Sequence, residues 1–124
     1  MSDIEVNGKE YRLAKLNAMT QFHVSRRIMP IIASMAGDGD VMSKILGAVG
    51  HLSDEDSEYV IGKCLTGCLR KRDDGGYAKI YQNGNFLFED IGLAEIIRLT
   101  MATIEENLTD FFTGLRSLSI AAAE

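Results

Sequence analysis

The first residues of the chain alternate between apolar and polar side chains on either side of a turn signal. Residues 4–6 and 9–13 flank Asn7-Gly8. Alternation with this period is typical of strands that bury one face, and Asn-Gly supplies the positive φ angles of a type I′ turn. The pattern predicts a β-hairpin whose strands lie at residues 4–6 and 9–13.

The pattern then changes, and apolar residues recur every three or four positions, as in amphipathic helices. We predict a helix over residues 18–36. Either Asn17 or Thr20 can cap its start, and Pro30 should kink it, because a proline ring removes one helical hydrogen bond. A shorter helix follows over residues 41–50. The apolar face of the first helix comprises Phe22, Ser25, Ile28 or Met29, Ile32 and Met35.

Charge at both ends indicates a third helix over residues 54–71. Ser53 is a typical N-cap residue, and Asp54-Glu55-Asp56 follows it. Arg70-Lys71-Arg72 lies at the other end. This layout places acids at the positive end of the helix dipole and bases at its negative end.

A second hairpin is predicted over residues 77–88, where Asn83-Gly84 provides the turn. A lone two-stranded ribbon is marginally stable in water. We therefore expect the two Asn-Gly hairpins to share a small sheet or to pack on the helices.

The chain becomes helical again after Asp90, with the longest apolar seam in the sequence. The spacing leaves open whether this is one helix or two pieces joined near Asn107. The predicted fold is mainly α with a small β component, an α+β single domain of four to five helices and two short β-hairpins. Residues 1–118 form this domain, and residues 119–124 are expected to fray. The seam comprises Ile97, Met101, Ile104, Leu108, Phe111 and Leu115.

Composition narrows the range of functions. Hydrophobic residues make up 46% of the 124 residues and charged residues 25%, which is typical of a folded soluble domain. The net charge of −5 argues against nucleic acid as a partner, because such binders carry a basic surface. No apolar run approaches the roughly 20 residues that span a bilayer. The acidic start of the chain also lacks a signal peptide's pattern. We expect a cytoplasmic protein with neither a nucleic-acid nor a membrane partner.

The sequence contains no recognisable catalytic constellation. Cys64 and Cys68 share one helical face and suggest either a redox pair, half a metal site or two small buried side chains. We favour burial, because a C-x-x-C motif and further zinc ligands are missing. His23 and His51 are the only histidines, and no local pattern completes a triad around them. We predict no enzyme activity, no metal and no cofactor.

Binding of other protein chains is the remaining interpretation. Flexible methionines and exposed aromatic rings on a helix suit contacts with a partner. Most of the last seam must be core, and the residues off its strict spacing are better candidates for exposed contacts. The candidate partner-binding residues are Met101, Phe111, Phe112, Leu115 and Leu118.

An ordered set of segments resembles the tail assembly chaperones of tailed bacteriophages and prophages. The first segment comprises residues 6–12, 15–18, 21–23 and 26–27, the second residues 86–91 and the third residues 107–112, and the similarity extends from about residue 4 to 118. Residues 37–72 match in character only. The positions that carry the resemblance are Tyr11, Phe22, His23, Arg26, Arg27, Phe88 and Asn107.

The resemblance implies an assembly factor that acts in the cytoplasm of the bacterial host and is absent from the mature virion. Its implied partners are the long, helical, aggregation-prone tape measure protein and the tail tube protein. A longer frameshifted form of the chain and further copies of it are additional implied partners. The alternatives are a tail completion or connector protein of the virion and, less favoured, a small redox enzyme that uses Cys64 and Cys68.

Overall fold

The computed structural model describes residues 3–34 and 41–123; the side chains of Ala33, Val41, Met42 and residues 110–123 fall outside this description. The described residues form four helices and six short strands, an α+β domain as predicted. In chain order they are β1 (Asp3–Val6), β2 (Lys9–Arg12), α1 (Ala18–Ser34), α2 (Val41–Gly50), α3 (Asp54–Thr66), β3 (Leu69–Lys71), β4 (Tyr77–Lys79), β5 (Tyr81–Gln82), β6 (Asn85–Phe86) and α4 (Leu93–Ala123).

The first hairpin is confirmed. Strands β1 and β2 pair antiparallel in the register Val6 opposite Lys9. Asn7 and Gly8 both have positive φ angles, 52° and 78°, as a type I′ turn requires. The turn residues therefore set the register that carries Tyr11 into the core, where its side chain is fully buried.

The third helix is shorter than predicted, and the prediction that Arg70-Lys71-Arg72 forms its C-terminal end is wrong. Helix α3 ends at Thr66, and Leu69–Lys71 forms strand β3, which pairs with β2 and β4. At Gly67 an added Cβ atom would lie 2.8 Å from the Cβ atom of Ala14, so only glycine allows this close approach. The backbone hydrogen bonds gained from two neighbouring strands outweigh the weak favourable effect of bases near a helix end.

The second hairpin and the shared sheet also need correction. Strand β4 pairs with β3, and only β5 and β6 pair across Asn83-Gly84. The two Asn-Gly turns lie in different sheets, a four-stranded sheet ordered β1-β2-β3-β4 and a two-stranded ribbon of β5 and β6. Strand β4 pairs with β3 over more residues than β5 pairs with β6, and this longer pairing favours the four-stranded sheet.

Helix α4 is the central element of the fold. It packs against α1, α2 and α3. Every residue from 99 to 104 is buried, so this part of the helix is enclosed on all sides. It runs without interruption through Asn107 to Ala123, which settles the question of one helix or two. Fraying of residues 119–124 stays a prediction.

Helix α1 carries Pro30 within its length and is assigned as one helix from Ala18 to Ser34. The expected kink stays a prediction. The predicted end at residues 35–36 lies outside the described residues. Helix α2 begins and ends where it was predicted.

Candidate partner-binding surface

The start of α1 is fixed by two side-chain amides. Asn17 caps the helix, because its Oδ1 atom accepts a hydrogen bond from the Thr20 backbone at 2.9 Å. Gln21 donates through Nε2 to the carbonyl of Leu16 at 3.1 Å and to Oδ1 of Asn107 at 3.3 Å. These contacts turn the Gln21 side of α1 towards α4.

This rotation changes which residues of α1 are buried. Val24, Ser25 and Ile28 lie in the core, whereas Phe22 is 49% exposed, contrary to its predicted place on the apolar face. Met19, one turn earlier on the same side of the helix, is 62% exposed. The periodicity located the helix and most of its buried face, since Ser25 and Ile28 are buried and Ile32 packs against the core, but its placement of Phe22 is wrong.

Aromatic rings in contact with one another extend from α1 to α3. The ring centroids of Phe22 and His23 are 5.6 Å apart, and His23 meets Tyr59 edge-on with 6.4 Å between centroids. Tyr59 is partly buried against the core. We call Met19, Phe22, His23 and Tyr59 the aromatic surface.

Arg27 holds the two helices of this surface together. Its guanidinium lies 4.0 Å from the ring centroid of Tyr59, and its Nε donates to Oδ1 of Asp56 at 3.2 Å. A second donor, NH1, reaches the carbonyl of His23 at 2.7 Å. Arg26, which directly precedes Arg27 in the chain, is exposed. The arrangement makes a rigid base for contacts but offers no chemistry of its own.

Asn107 is a buried anchor on the opposite side of α1. Its Oδ1 accepts from the backbone of Leu16 at 2.8 Å, and its Nδ2 donates to the carbonyls of Ala14 and Thr103 at 3.0 and 2.8 Å. With the bond from Gln21, every hydrogen-bonding position of the amide has a partner. Asn107 therefore ties the segment between β2 and α1 to the central helix.

An ionic cluster joins the sheet to the start of α4; we define it as Lys9, Tyr11, Arg70, Asp90 and Glu95. The Tyr11 hydroxyl donates to Glu95 at 2.8 Å. Arg70 binds Asp90 through two hydrogen bonds of 2.7 and 3.0 Å, and Lys9 lies 2.7 Å from the same carboxylate.

The pKa shifts in this cluster follow from its contacts. Arg70 and then Lys9 hold the pKa of Asp90 well below its usual range. Burial, and then the hydrogen bond to Glu95, raises the pKa of Tyr11 well above its ordinary value. Phe88 lies under the Arg70 guanidinium, which is 4.4 Å from its ring centroid. The charges are matched locally, as expected for a structural cluster.

The positions that carry the resemblance thus fall into two groups. Tyr11, Phe88 and Asn107 hold elements of the fold together. The other four, Phe22, His23, Arg26 and Arg27, lie at or beside the aromatic surface.

Of the contact residues predicted on α4, only Met101 has a described side chain. Met101 is buried in the core, so we leave it out of the candidate surface. The side chains of Phe111, Phe112, Leu115 and Leu118 lie outside the described residues, and their role stays a prediction.

Tyr59 is the residue of the candidate surface that the sequence analysis did not identify. It lies on α3 between acidic and basic neighbours, where its helical spacing from Lys63 was the available signal. An aromatic ring on an otherwise charged helix face indicates either a cation–π contact or a partner. Lys63 does reach it, with Nζ 5.6 Å from the ring centroid.

The two cysteines are fully buried free thiols in the core. Burial raises the pKa of both, so neither is poised as the thiolate that nucleophilic or redox chemistry needs. The Sγ of Cys68 donates to the carbonyl of Cys64 at 3.2 Å. Among the described residues, no group of three potential ligands is placed to hold a metal ion. No described helix has the length and apolar character to cross a membrane.

Comparison with known protein families gives a match over most of the chain. A family model described as phage tail assembly chaperone protein, TAC, matches residues 7–117. Neither the curated proteins nor the solved structures contain a significant match.

Proposed function

Since the chain belongs to the phage tail assembly chaperone family, we propose that it binds the tape measure protein and helps recruit tail tube subunits to it. In this proposal the chain acts in the bacterial host during tail assembly and is not retained in the virion. The family match over residues 7–117 is the observation that carries the proposal.

The geometry of the aromatic surface supports a protein client. Its rings are spread over two helices, whereas sites for small molecules are concave and enclose their ligand. Phe22 and Met19 expose apolar area that a helical client can cover. A single contact of this size gives modest affinity, and many copies along one client would add avidity.

Co-expression tests client binding directly. The tape measure protein encoded in the same genome is produced with and without this chain, and its soluble fraction is measured. We expect a larger soluble fraction and co-purification of the two proteins when the chain is present. An equally insoluble client in both cultures would overturn the proposal.

Mass spectrometry of purified particles tests the remaining part. A chaperone that is released should be absent from them, although it is present in lysates of the same cells. Its recovery at a fixed ratio to the tail tube protein would instead favour the connector function.

A further inference from the structure

The two Asn-Gly turns have nearly the same backbone conformation. Asn7 and Asn83 have φ angles of 52° and 53°, and the glycines that follow them, Gly8 and Gly84, have φ angles of 78° and 80°. All four residues are exposed. A difference in chemical reactivity between the two turns must therefore come from their side-chain contacts and from the strands beside them.

An asparagine that precedes glycine can lose its side-chain amide in a reaction within the chain. The backbone nitrogen of the glycine attacks Cγ of the asparagine, so that a new N–Cγ bond forms and the Cγ–Nδ2 bond breaks. Ammonia leaves with the proton that the glycine nitrogen gives up, and a five-membered succinimide ring remains. Water then adds to one of the two ring carbonyl carbons and opens the ring to aspartate or isoaspartate. Glycine favours the reaction because no side chain obstructs its nitrogen.

The turn must open before this ring can close. In a type I′ turn, Cβ of the asparagine and the nitrogen of the next residue lie on opposite sides of the bond between Cα and the carbonyl carbon. The rotation that brings Cγ to the nitrogen disrupts the strand pairing next to the turn. The reaction rate at each site therefore depends on the free energy needed to open its hairpin locally.

The hairpin at Asn7 is held closed by the sheet and by α4. Strands β1 and β2 pair over four residues each, and β2 also pairs with β3. The Asn7 amide donates through Nδ2 to Oε1 of buried Glu95 at 3.2 Å. Rotation of Asn7 therefore costs strand pairing and also removes a donor from a buried carboxylate.

The hairpin at Asn83 is held by far fewer contacts. Strands β5 and β6 pair over two residues each in a separate sheet, and every residue from 82 to 87 is exposed. Within the described part of the chain, the Asn83 side chain makes no hydrogen bond; its main-chain carbonyl accepts one from Nδ2 of Asn85 at 3.3 Å. The bond from the Leu87 backbone nitrogen to the carbonyl of Ile80, 2.9 Å long, lies at the end away from the turn. The turn can thus open while the base of the ribbon stays in place.

We propose that Asn83 is a site of spontaneous deamidation, with water as the co-reactant, and that the fold protects Asn7 from the same reaction. The proposal does not depend on the client-binding function. The product carries one more negative charge than the unmodified chain, whose net charge is −5. Isoaspartate also adds a carbon atom to the main chain of a two-residue turn, which breaks the register that pairs Tyr81 with Phe86.

Peptide mapping of the full chain tests the proposal. The folded chain is kept in mildly alkaline buffer, in which a backbone nitrogen loses its proton more readily, and is sampled over time. Digestion after lysine and arginine places the two sites in separate peptides, residues 1–9 and 80–98, and mass spectrometry measures the conversion of amide to acid in each. We expect Asn83 to react at least about tenfold faster than Asn7, a ratio that corresponds to about 1.4 kcal/mol in opening free energy. Equal rates, or a faster reaction at Asn7, would overturn the proposal.

The same incubation in guanidinium chloride separates the effect of the fold from that of the local sequence. Once the hairpins are unfolded, the two Asn-Gly pairs are equally free to rotate, and their rates should agree within about threefold. A tenfold ratio that persists in the denaturant would assign the difference to the neighbouring residues and contradict the protection of Asn7 by the fold.

Two variants identify the reacting residue in the peptide of residues 80–98. Asn83→Gly keeps a residue that accepts positive φ, so the ribbon should still form, and the acidic form of the peptide should disappear. Asn85→Ala is the matched control, because it removes the other asparagine of the same peptide, and conversion should continue. Conversion that persists in Asn83→Gly and stops in Asn85→Ala would place the reaction at Asn85 and overturn the proposal.

Discussion

The anchors around α4 and the aromatic surface on α1 and α3 both contain residues that carry the family resemblance, yet they are built in opposite ways. At Asn107 and Glu95, buried polar atoms are met by partners from distant parts of the chain. At Phe22 and Met19, large apolar groups remain uncovered. Within one chain, the resemblance therefore includes positions that hold the fold together and positions that lie at or beside the aromatic surface.

The difference predicts that the two regions respond differently to substitution. Anchor variants should lower the free energy of unfolding, and their effect on client binding should follow from that loss. Variants of the aromatic surface should leave folding almost unchanged and alter binding alone. The following substitutions, ordered by their expected effect on stability, test whether the two regions differ in this way.

Asn107→Ala should have the largest effect. It removes four hydrogen bonds and leaves the buried backbone groups of Leu16 and Ala14 without their side-chain partner. We expect the free energy of unfolding to fall by about 3 kcal/mol or more, measured by urea denaturation. The exposed Asn85→Ala is the control and should change it by less than about 0.5 kcal/mol. Equal effects at the two sites would show that Asn107 is not an anchor.

Tyr11→Phe should have an intermediate effect. The ring still fills the core, but Glu95 loses the hydroxyl that donates to it at 2.8 Å. An unsatisfied buried acceptor costs about 1–3 kcal/mol, and we expect a loss of stability in that range. Tyr59→Phe removes a hydroxyl from the aromatic surface and should cost less than about 0.5 kcal/mol. If both variants unfold at the wild-type urea midpoint, the hydrogen bond to Glu95 contributes no stability.

Asp90→Asn should have a smaller, pH-dependent effect. The pKa of Asp90 is lowered in the folded chain by its ion pairs with Arg70 and Lys9. These ion pairs therefore stabilise the fold at pH values above 3.8, the ordinary pKa of the carboxyl group. This contribution is lost as the pH falls below that value and the carboxylate takes up a proton. At about pH 7, most other groups keep their ordinary charge. At this pH the urea midpoint of the variant should be lower than that of the wild-type chain. The two midpoints should converge in acid, and a constant difference at all pH values would rule out the ion pairs as the cause.

Phe22→Ala should have the smallest effect on stability. Its ring is half exposed, and we expect the free energy of unfolding to change by less than about 0.5 kcal/mol. Ile28→Ala, on the buried side of the same helix, should cost about 2–5 kcal/mol. Thermal unfolding followed by circular dichroism distinguishes them. A comparable loss in Phe22→Ala would place the ring in the core and remove it from the candidate surface.

Local sequence signals predicted most of the fold. Asn7-Gly8 and Asn83-Gly84 each have the positive φ angles that a type I′ turn requires, and each forms the predicted turn. Ser53 caps α3, where its Oγ accepts from the Asp56 backbone at 3.1 Å. These features depend on a few neighbouring residues, so the sequence alone is sufficient to identify them.

The candidate site was harder to predict than the fold. Periodicity placed Phe22 inside together with Ser25 and Ile28, because it does not show where the buried part of a helix face ends. The rotation of α1 is set by Gln21 and Asn107, which lie 86 residues apart in the chain. The partner of the rings on α1, Tyr59, comes from a different helix.

Local structure is therefore readable from the sequence alone: the positions of the turns, the caps and most of the helices, and an apolar seam on the last of them. The tertiary structure was needed to show that residues 69–71 join a sheet and that α4 is enclosed by the other helices. It also decided which exposed rings form one surface. The physical reason is that strand pairing and burial depend on contacts between distant residues, and these outweigh local propensities when the two disagree.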